Sequence, residues 1–270
     1  MDELKERVNA LQDVDASVAE LRQRQVGDLI GEIDGVLREG LQHFPGESYL
    51  LDLEATLATI VDDEPRAAGA LQRALASSPG NGFICSRLAR HFRRSGDLAA
   101  AKLVLTQCLE QSPTDREAHL QLARLLMDED EYRHRDTIRH HLRRSFAPGD
   151  ANYEAQFWYA RHEFLYGELG RSKEMFDALR RANVPPGMKQ QGRGKVRAPG
   201  GKARKFRGSI RAKLDSYCFA ACAELQGEVF MHPGSFQDGQ WDILTGISEI
   251  EFELAFTLRG ALGQEGRVVG

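Results

Sequence analysis

Through the first two thirds of the chain, apolar residues recur at helical spacing in blocks that each end in a proline. Pro45, Pro79, Pro113, Pro148 and Pro185 stand at spacings of 34, 34, 35 and 37, and Ala55, Ala89, Ala123 and Ala160 recur in phase with them. Seven places after each alanine comes a turn former: Asp62, Gly96, Asp130 or Gly167. Each block therefore reads as helix, turn, helix and proline stop. A small residue lets two helices approach closely, Gly or Asp opens the turn, and Pro cannot continue the second helix. Large apolar residues fill the seams: Leu88, Phe92, Leu98, Ala101 and Leu105 in one block, Trp158, Tyr159, Phe164, Leu169, Phe176 and Leu179 in another. Ahead of the blocks, residues 1–25 read as one charged amphipathic helix with Leu4, Val8, Leu11, Val18 and Leu21 along a seam.

Beyond residue 205 the period changes from helical to alternating, with short strands expected near Phe206–Lys213, Ser216–Ala220, Glu228–His232, Ile247–Phe256 and Gly266–Val269. The fourth is the clearest. Ile250, Phe252, Leu254 and Phe256 alternate with Glu249, Glu251, Glu253 and Ala255, which predicts one face in a core and carboxylates toward water. Five strands of this length make a small barrel. Between the two patterns, residues 185–204 are rich in Pro, Gly, Lys and Arg without a hydrophobic period, so a flexible basic linker with no packed structure is expected there. The fold class is multidomain α + β, an all-α helical-hairpin solenoid over 26–184 followed by a five-stranded barrel over 205–270.

The net charge of −4 hides a strong asymmetry. From Val184 to Leu214 there is no acid and there are ten bases, whereas residues 215–270 hold nine acids against Arg259 and Arg267. The third helical block carries Arg133, Arg135, Arg139, Arg143 and Arg144 with His134, His140 and His141. Arg135, Arg139 and Arg143 fall on one helical stripe that could dock an acidic peptide or phosphates, although a solvated helix face is the commoner meaning of such a stripe. The adjacent His140 and His141 point in different directions and make no metal pair. Cys85, Cys108, Cys218 and Cys222 lack the spacing of a metal site, and reduced, buried thiols are expected. No run of 18 apolar residues occurs and the first thirty residues are charged, so neither a membrane span nor a signal peptide is expected, and the location that follows is cytoplasmic.

The phased alanine, turn and proline positions resemble tetratricopeptide (TPR) repeats over about residues 26–184, with Leu51, Cys85, His119 and Gln156 where the family usually has an aromatic. That resemblance implies a protein or peptide partner. The segments Phe206-Arg-Gly-Ser-Ile-Arg, Ser216-Tyr-Cys-Phe-Ala, Glu228-Val-Phe-Met-His and Leu244-Thr-Gly, in that order, resemble a cold-shock domain of the OB class. It implies single-stranded RNA or DNA bound by base stacking on Tyr217, Phe219, Phe230 and His232, with phosphates held by Arg207, Arg211 and Lys213 and by linker bases including Arg204 and Lys205. The chain departs from that family at Cys218, Ala212, Leu214 and Pro233, where glycine or aromatics are usual, and the nine barrel acids repel phosphate within a Debye length of roughly 8 Å. Phe157-Trp-Tyr-Ala-Arg161, the basic linker and the barrel together resemble the C-terminal portion of bacterial STAND and Sir2-type multidomain proteins linked to antiphage defence.

No metal, nucleophile or paired-carboxylate constellation stands out, and the glycines of 194–204 fail the phosphate-loop spacing because Lys202 is followed by Ala203. The chain is expected to be non-enzymatic, with no cofactor, no small-molecule substrate and no membrane partner. Two functions remain: a TPR array that docks a protein while linker and barrel bind single-stranded nucleic acid, or a purely protein-binding adaptor whose barrel is structural.

Overall fold

A computed structural model describes residues 2–191, 194–198 and 201–269, with side chains not described for 2–22 and 189–191. The proposed seam of residues 1–25 and the linker bases Lys189 and Arg193 therefore lie outside the described side chains. The chain divides into two compact units, residues 1–95 and 96–270.

The first unit is four helices: α1 (Asp2–His43), α2 (Ser48–Ile60), α3 (Glu64–Ser77) and α4 (Gly82–Arg94). No break falls near residue 25, so the charged N-terminal segment and the half-block after it form one helix of 42 residues. Each proline sits just past a helix end, at Pro45 and Pro79, where its missing N–H costs nothing. Helix starts use polar caps: Asp63 accepts from Arg66 N and Asn81 from Phe83 N and Ile84 N. Asp62 takes a positive φ of 59° between α2 and α3, a conformation Asp tolerates better than most residues. Leu51, Ala55, Ala58, Ala70, Leu71 and Leu88 form the interior. Glu54, held by Arg66 and Arg73, ties α2 to α3.

The second unit begins with helical hairpins of the same kind: α5 (Leu98–Gln111), α6 (Arg116–Asp130), α7 (Arg135–Arg144), α8 (Tyr153–Tyr166) and α9 (Leu169–Arg181). The expected turn at Asp130 lies one step later. α6 runs through Asp130 and the chain turns over 131–134, and the C-cap residue Glu131 reaches Arg161 on α8. After a short α10 (Pro186–Gln191) comes the sheet, β1 (Gly194–Lys195), β2 (Lys205–Lys213), β3 (Cys218–Ala221), β4 (Val229–Met231) and, after the short helix α11 (Gln240–Ile243), β5 (Glu249–Thr257) and β6 (Gly260–Val268). The strands run β5-β2-β3-β4-β6 and close through β5–β6, giving a five-stranded barrel. β6 is longer than the alternation suggested, since glycines at 260, 263 and 266 interrupt the apolar pattern. Two of them are needed: a Cβ at Gly263 or Gly266 would meet the Met231 side chain at 2.7–2.8 Å.

The linker is a correction. Residues 194–198 are packed against the barrel, not free: β1 extends the edge of β5 beyond β2, Val196 N donates to Leu254 O (2.9 Å), and Val196 is buried. Arg197 and Ala203 form an antiparallel bridge. A two-residue strand has no room to display a period, which is why composition alone suggests a coil. The outward carboxylates of β5 are also not simply solvated. Glu251 accepts from Lys205 (3.0 Å) and Arg267 (2.7 Å), with Arg207 at 3.8 Å, and Glu253 accepts from Lys195 (3.0 Å). The hydrogen bond from Lys205 and the neighbouring Arg267 charge hold the Glu251 carboxyl below the usual range.

The barrel shares its core with the last hairpin. Phe256 of β5 meets Phe164 of α8 (ring centroids 5.3 Å) and stacks on Phe176 of α9 (6.2 Å). Beside them Arg161 is 2% exposed, donates through both terminal nitrogens to Glu131, and lies 5.5 Å from the Trp158 and Phe256 ring centres. Glu131→Ala strands that guanidinium without its counter-charge and is expected to cost about 3–5 kcal/mol in urea unfolding of the full chain. A loss under about 1 kcal/mol would mean that solvent reaches Arg161.

Candidate nucleic-acid interface

Strict alternation decides which side chains reach the barrel surface. On β3 and β4, Cys218, Ala220, Val229 and Met231 point into the core, and burial pushes the Cys218 thiol up to about 11. Their neighbours point out: Phe219 and Phe230 face each other across the ladder, two residues from Tyr217 and from His232 respectively. The rings make one patch, with centroids 5.6 Å apart for Tyr217–Phe219, 5.8 Å for Tyr217–Phe230, 5.9 Å for Phe219–Phe230 and 6.3 Å for Phe230–His232. Phe230 is 37% exposed and His232 is exposed, so the patch is open. A water-facing cluster of four rings offers π-faces to planar ligands.

The expected phosphate-holding bases do not all gather there. Arg204 is paired with Glu224 of the β3–β4 connection and lies over Phe206, while Lys205 and Arg207, paired with Glu251, stand where β2 runs beside β5. Lys213 donates to Leu244 O (2.8 Å) and Trp241 O (3.3 Å) and sits over the Trp241 ring, pinning α11 to the barrel. Arg211 is different. The β2–β3 register shifts between Ile210 and Ala212, and this bulge turns both Arg211 and Ala212 outward beside Phe219. Among the described residues Arg211 has no ion-pair partner.

The arginine stripe of the third block is broken up as well. Arg139 makes a two-pronged pair with Glu163 (2.7 and 2.9 Å) and reaches Glu168 (3.1 Å), and these partners raise its pKa further. Arg135 lies over Tyr132, which leaves Arg143 exposed. His141 turns inward to His119 (Nδ1 to Nδ1 2.8 Å), and burial drives the His141 pKa down to about 4. On the first unit, a depression of about 400 Å³ is lined by Phe83, Arg87, Arg90, His91 and Arg94, with Arg87 held by Asp52. Among the described residues no three His, Cys, Asp or Glu side chains could share a metal ion, and no helix is long and apolar enough to cross a membrane. All four cysteines are buried and none is in a disulfide.

Residues 92–133 match the tetratricopeptide repeat family. The chain is similar to several solved structures of low identity: the type IV pilus biogenesis factor PilW (18% identical, 56% of this chain and 69% of that chain covered, TM-score 0.44), pilF of Pseudomonas aeruginosa (16%, 58% and 71%, 0.48), and YrrB, described as a TPR protein with an unusual peptide-binding site (15%, 56% and 77%, 0.41). No curated protein matches. These likenesses cover the helical part of the chain no further than its repeat architecture, a helical-hairpin array that in TPR proteins serves as a protein-interaction scaffold.

Sequence reasoning missed Trp241 and the helix-borne groups near the patch, Lys173 and Arg180 of α9, because a base in a helical block carries no mark of the strand it will face. Phe230 is 37% exposed and packs only on the other rings of the patch, so Phe230→Ala is expected to cost about 1 kcal/mol of unfolding free energy, whereas Met231→Ala, one residue on and fully buried, costs about 2–5 kcal/mol. Equal losses in urea melts would place Phe230 in the core instead.

Proposed function

We propose that the protein is a non-enzymatic binding protein whose barrel takes single-stranded RNA or DNA on the Tyr217, Phe219, Phe230 and His232 patch while its helical repeats dock a protein or peptide. The observation that carries the nucleic-acid half is the single outward cluster of four rings, each within 6.3 Å of a neighbour, on strands whose other face is wholly core. Stacking on such rings is tolerant of sequence and contributes about 1–3 kcal/mol per base. Arg211, turned out by the bulge, supplies a phosphate contact beside the rings; Lys213 contributes from the edge with whatever donor capacity its two carbonyl acceptors leave. The barrel acids oppose this less than their number implies, because Glu251, Glu253 and Glu224 are each matched by a base.

The protein-docking half is supported by the repeat architecture and by the Phe83–Arg90 depression of the first unit, whose mixed aromatic and basic lining suits an acidic peptide. The resemblance of the C-terminal half to STAND and Sir2-type proteins supports a sensor or regulatory part of a bacterial defence system as the setting. The adaptor reading has one observation in its favour, the core that the barrel shares with α8 and α9, which a purely structural barrel would also need.

Anisotropy titration of the full chain with fluorescent single-stranded oligonucleotides at two salt concentrations separates them. Phe219→Ala with Phe230→Ala is expected to weaken binding at both salts by about 1–3 kcal/mol per ring, and Arg211→Gln to flatten the salt dependence by one phosphate contact. If the unmodified chain fails to bind even at low salt, the adaptor reading holds and the nucleic-acid reading is wrong.

A further inference from the structure

The aromatic patch does not stop at a barrel edge. A cleft of about 440 Å³ opens directly from it, walled on the barrel side by Phe219 and Phe230 and on the other by α9 of the last helical hairpin, through Lys173, Asp177 and Arg180. The walls come this close because of Gly227 in the β3–β4 connection. A Cβ there would meet Phe164 at 2.8 Å and Leu169 at 2.9 Å, so any larger residue would push the barrel away from α8 and α9. Arg259, in the turn between β5 and β6, also lines the cleft. A second cavity of about 720 Å³ adjoins it, lined by Arg180 and Arg259 again together with Val184, Thr257 and Leu258.

We propose that a single strand bound on the patch continues into this cleft, where Lys173 and Arg259 take its phosphates, so that the last helical hairpin forms half of the nucleic-acid site. The proposal rests on the patch being a nucleic-acid platform and extends it onto a module of another fold. The charges fit a polyanion. Lys173 and Arg259 are exposed and, among the described residues, neither side chain has an ion-pair partner. The acids of the cleft are Asp177 and Glu228; Asp177 is matched by Arg180, which leaves two unpaired bases against one carboxylate. The floor is apolar, from Phe164, Leu169 and Phe176, and suits bases or sugars while the bases of the rim face phosphate. Neither cavity has the closed, convergent polar lining that fixes a small molecule, and both are open along their length, as a passing chain requires.

The test is a length series of fluorescent oligo-dT, from four to twelve nucleotides, titrated against the full chain and against Lys173→Gln with Arg259→Gln. Both positions are exposed, so the double variant is expected to fold as the parent does. Four nucleotides saturate four rings. The unmodified chain is expected to gain affinity beyond that length, and the variant to bind the four-mer equally well yet gain little with further nucleotides. On the twelve-mer, the slope of log affinity against log salt should fall by about 1.4, the loss of two single-strand phosphate contacts. Unchanged length and salt dependence in the variant would overturn the cleft while leaving the platform standing. Absence of binding by the unmodified chain at every length would overturn both.

Discussion

The second unit of the molecule turns on one buried charge. Arg161 sits in the interior of α8 at 2% exposure, and a guanidinium taken out of water is tolerable only when a counter-charge and ring faces replace the lost hydration. Glu131 supplies the first from the end of α6, and Trp158 and Phe256 supply the second from α8 and β5. Three elements distant in the chain are therefore fixed by one side chain. Phe256, held there, brings β5 against Phe164 and Phe176, and barrel and hairpin share one hydrophobic core. The pose of the barrel on α9, and with it the cleft beside the aromatic patch, is a consequence of that arrangement.

The same economy governs the surface charges. A basic segment followed by an acidic domain reads in sequence as two opposed fields, but in space four of its bases, Lys195, Arg204, Lys205 and Arg207, are matched with Glu224, Glu251 and Glu253. Glu251 alone collects Lys205, Arg267 and the more distant Arg207, Glu253 takes Lys195, and Glu224 takes Arg204. Such exposed pairs contribute little stability each. Their larger effect is to remove both the bases that composition offers to a phosphate and the acids that would repel it. Near the aromatic patch, Arg211 at a β-bulge and Lys173 and Arg259 at the cleft have no ion-pair partner among the described residues.

What was legible in the chain follows from how far each signal depends on distance. The helical hairpins could be read because Ala55, Ala89, Ala123 and Ala160 are all buried at the same structural place, and a repeated local rule leaves a repeated mark. The aromatic patch could be read because alternation is local too: Cys218 and Val229 in, Phe219 and Phe230 out. The failures lie where a residue's role is set by a partner far away. Arg139 looks like one member of a basic stripe until Glu163 is placed opposite it, α6 overruns its expected turn and its C-cap residue Glu131 reaches Arg161, and Val196 looks like a stray apolar residue in a basic coil until β5 lends it a strand edge. Gly227 and Gly263 similarly carry no sequence mark of the rings and the thioether that crowd them.

The claim on which the functional account stands is that single-stranded nucleic acid lies across the outward rings of β3 and β4. Photo-crosslinking of a single-stranded oligonucleotide to the full chain, followed by peptide mapping, addresses it directly, because aromatic side chains in stacking contact are efficient partners for an excited base. The account predicts adducts within residues 217–232. Adducts confined to the helical repeats of 26–144, with the barrel unmodified, would contradict it.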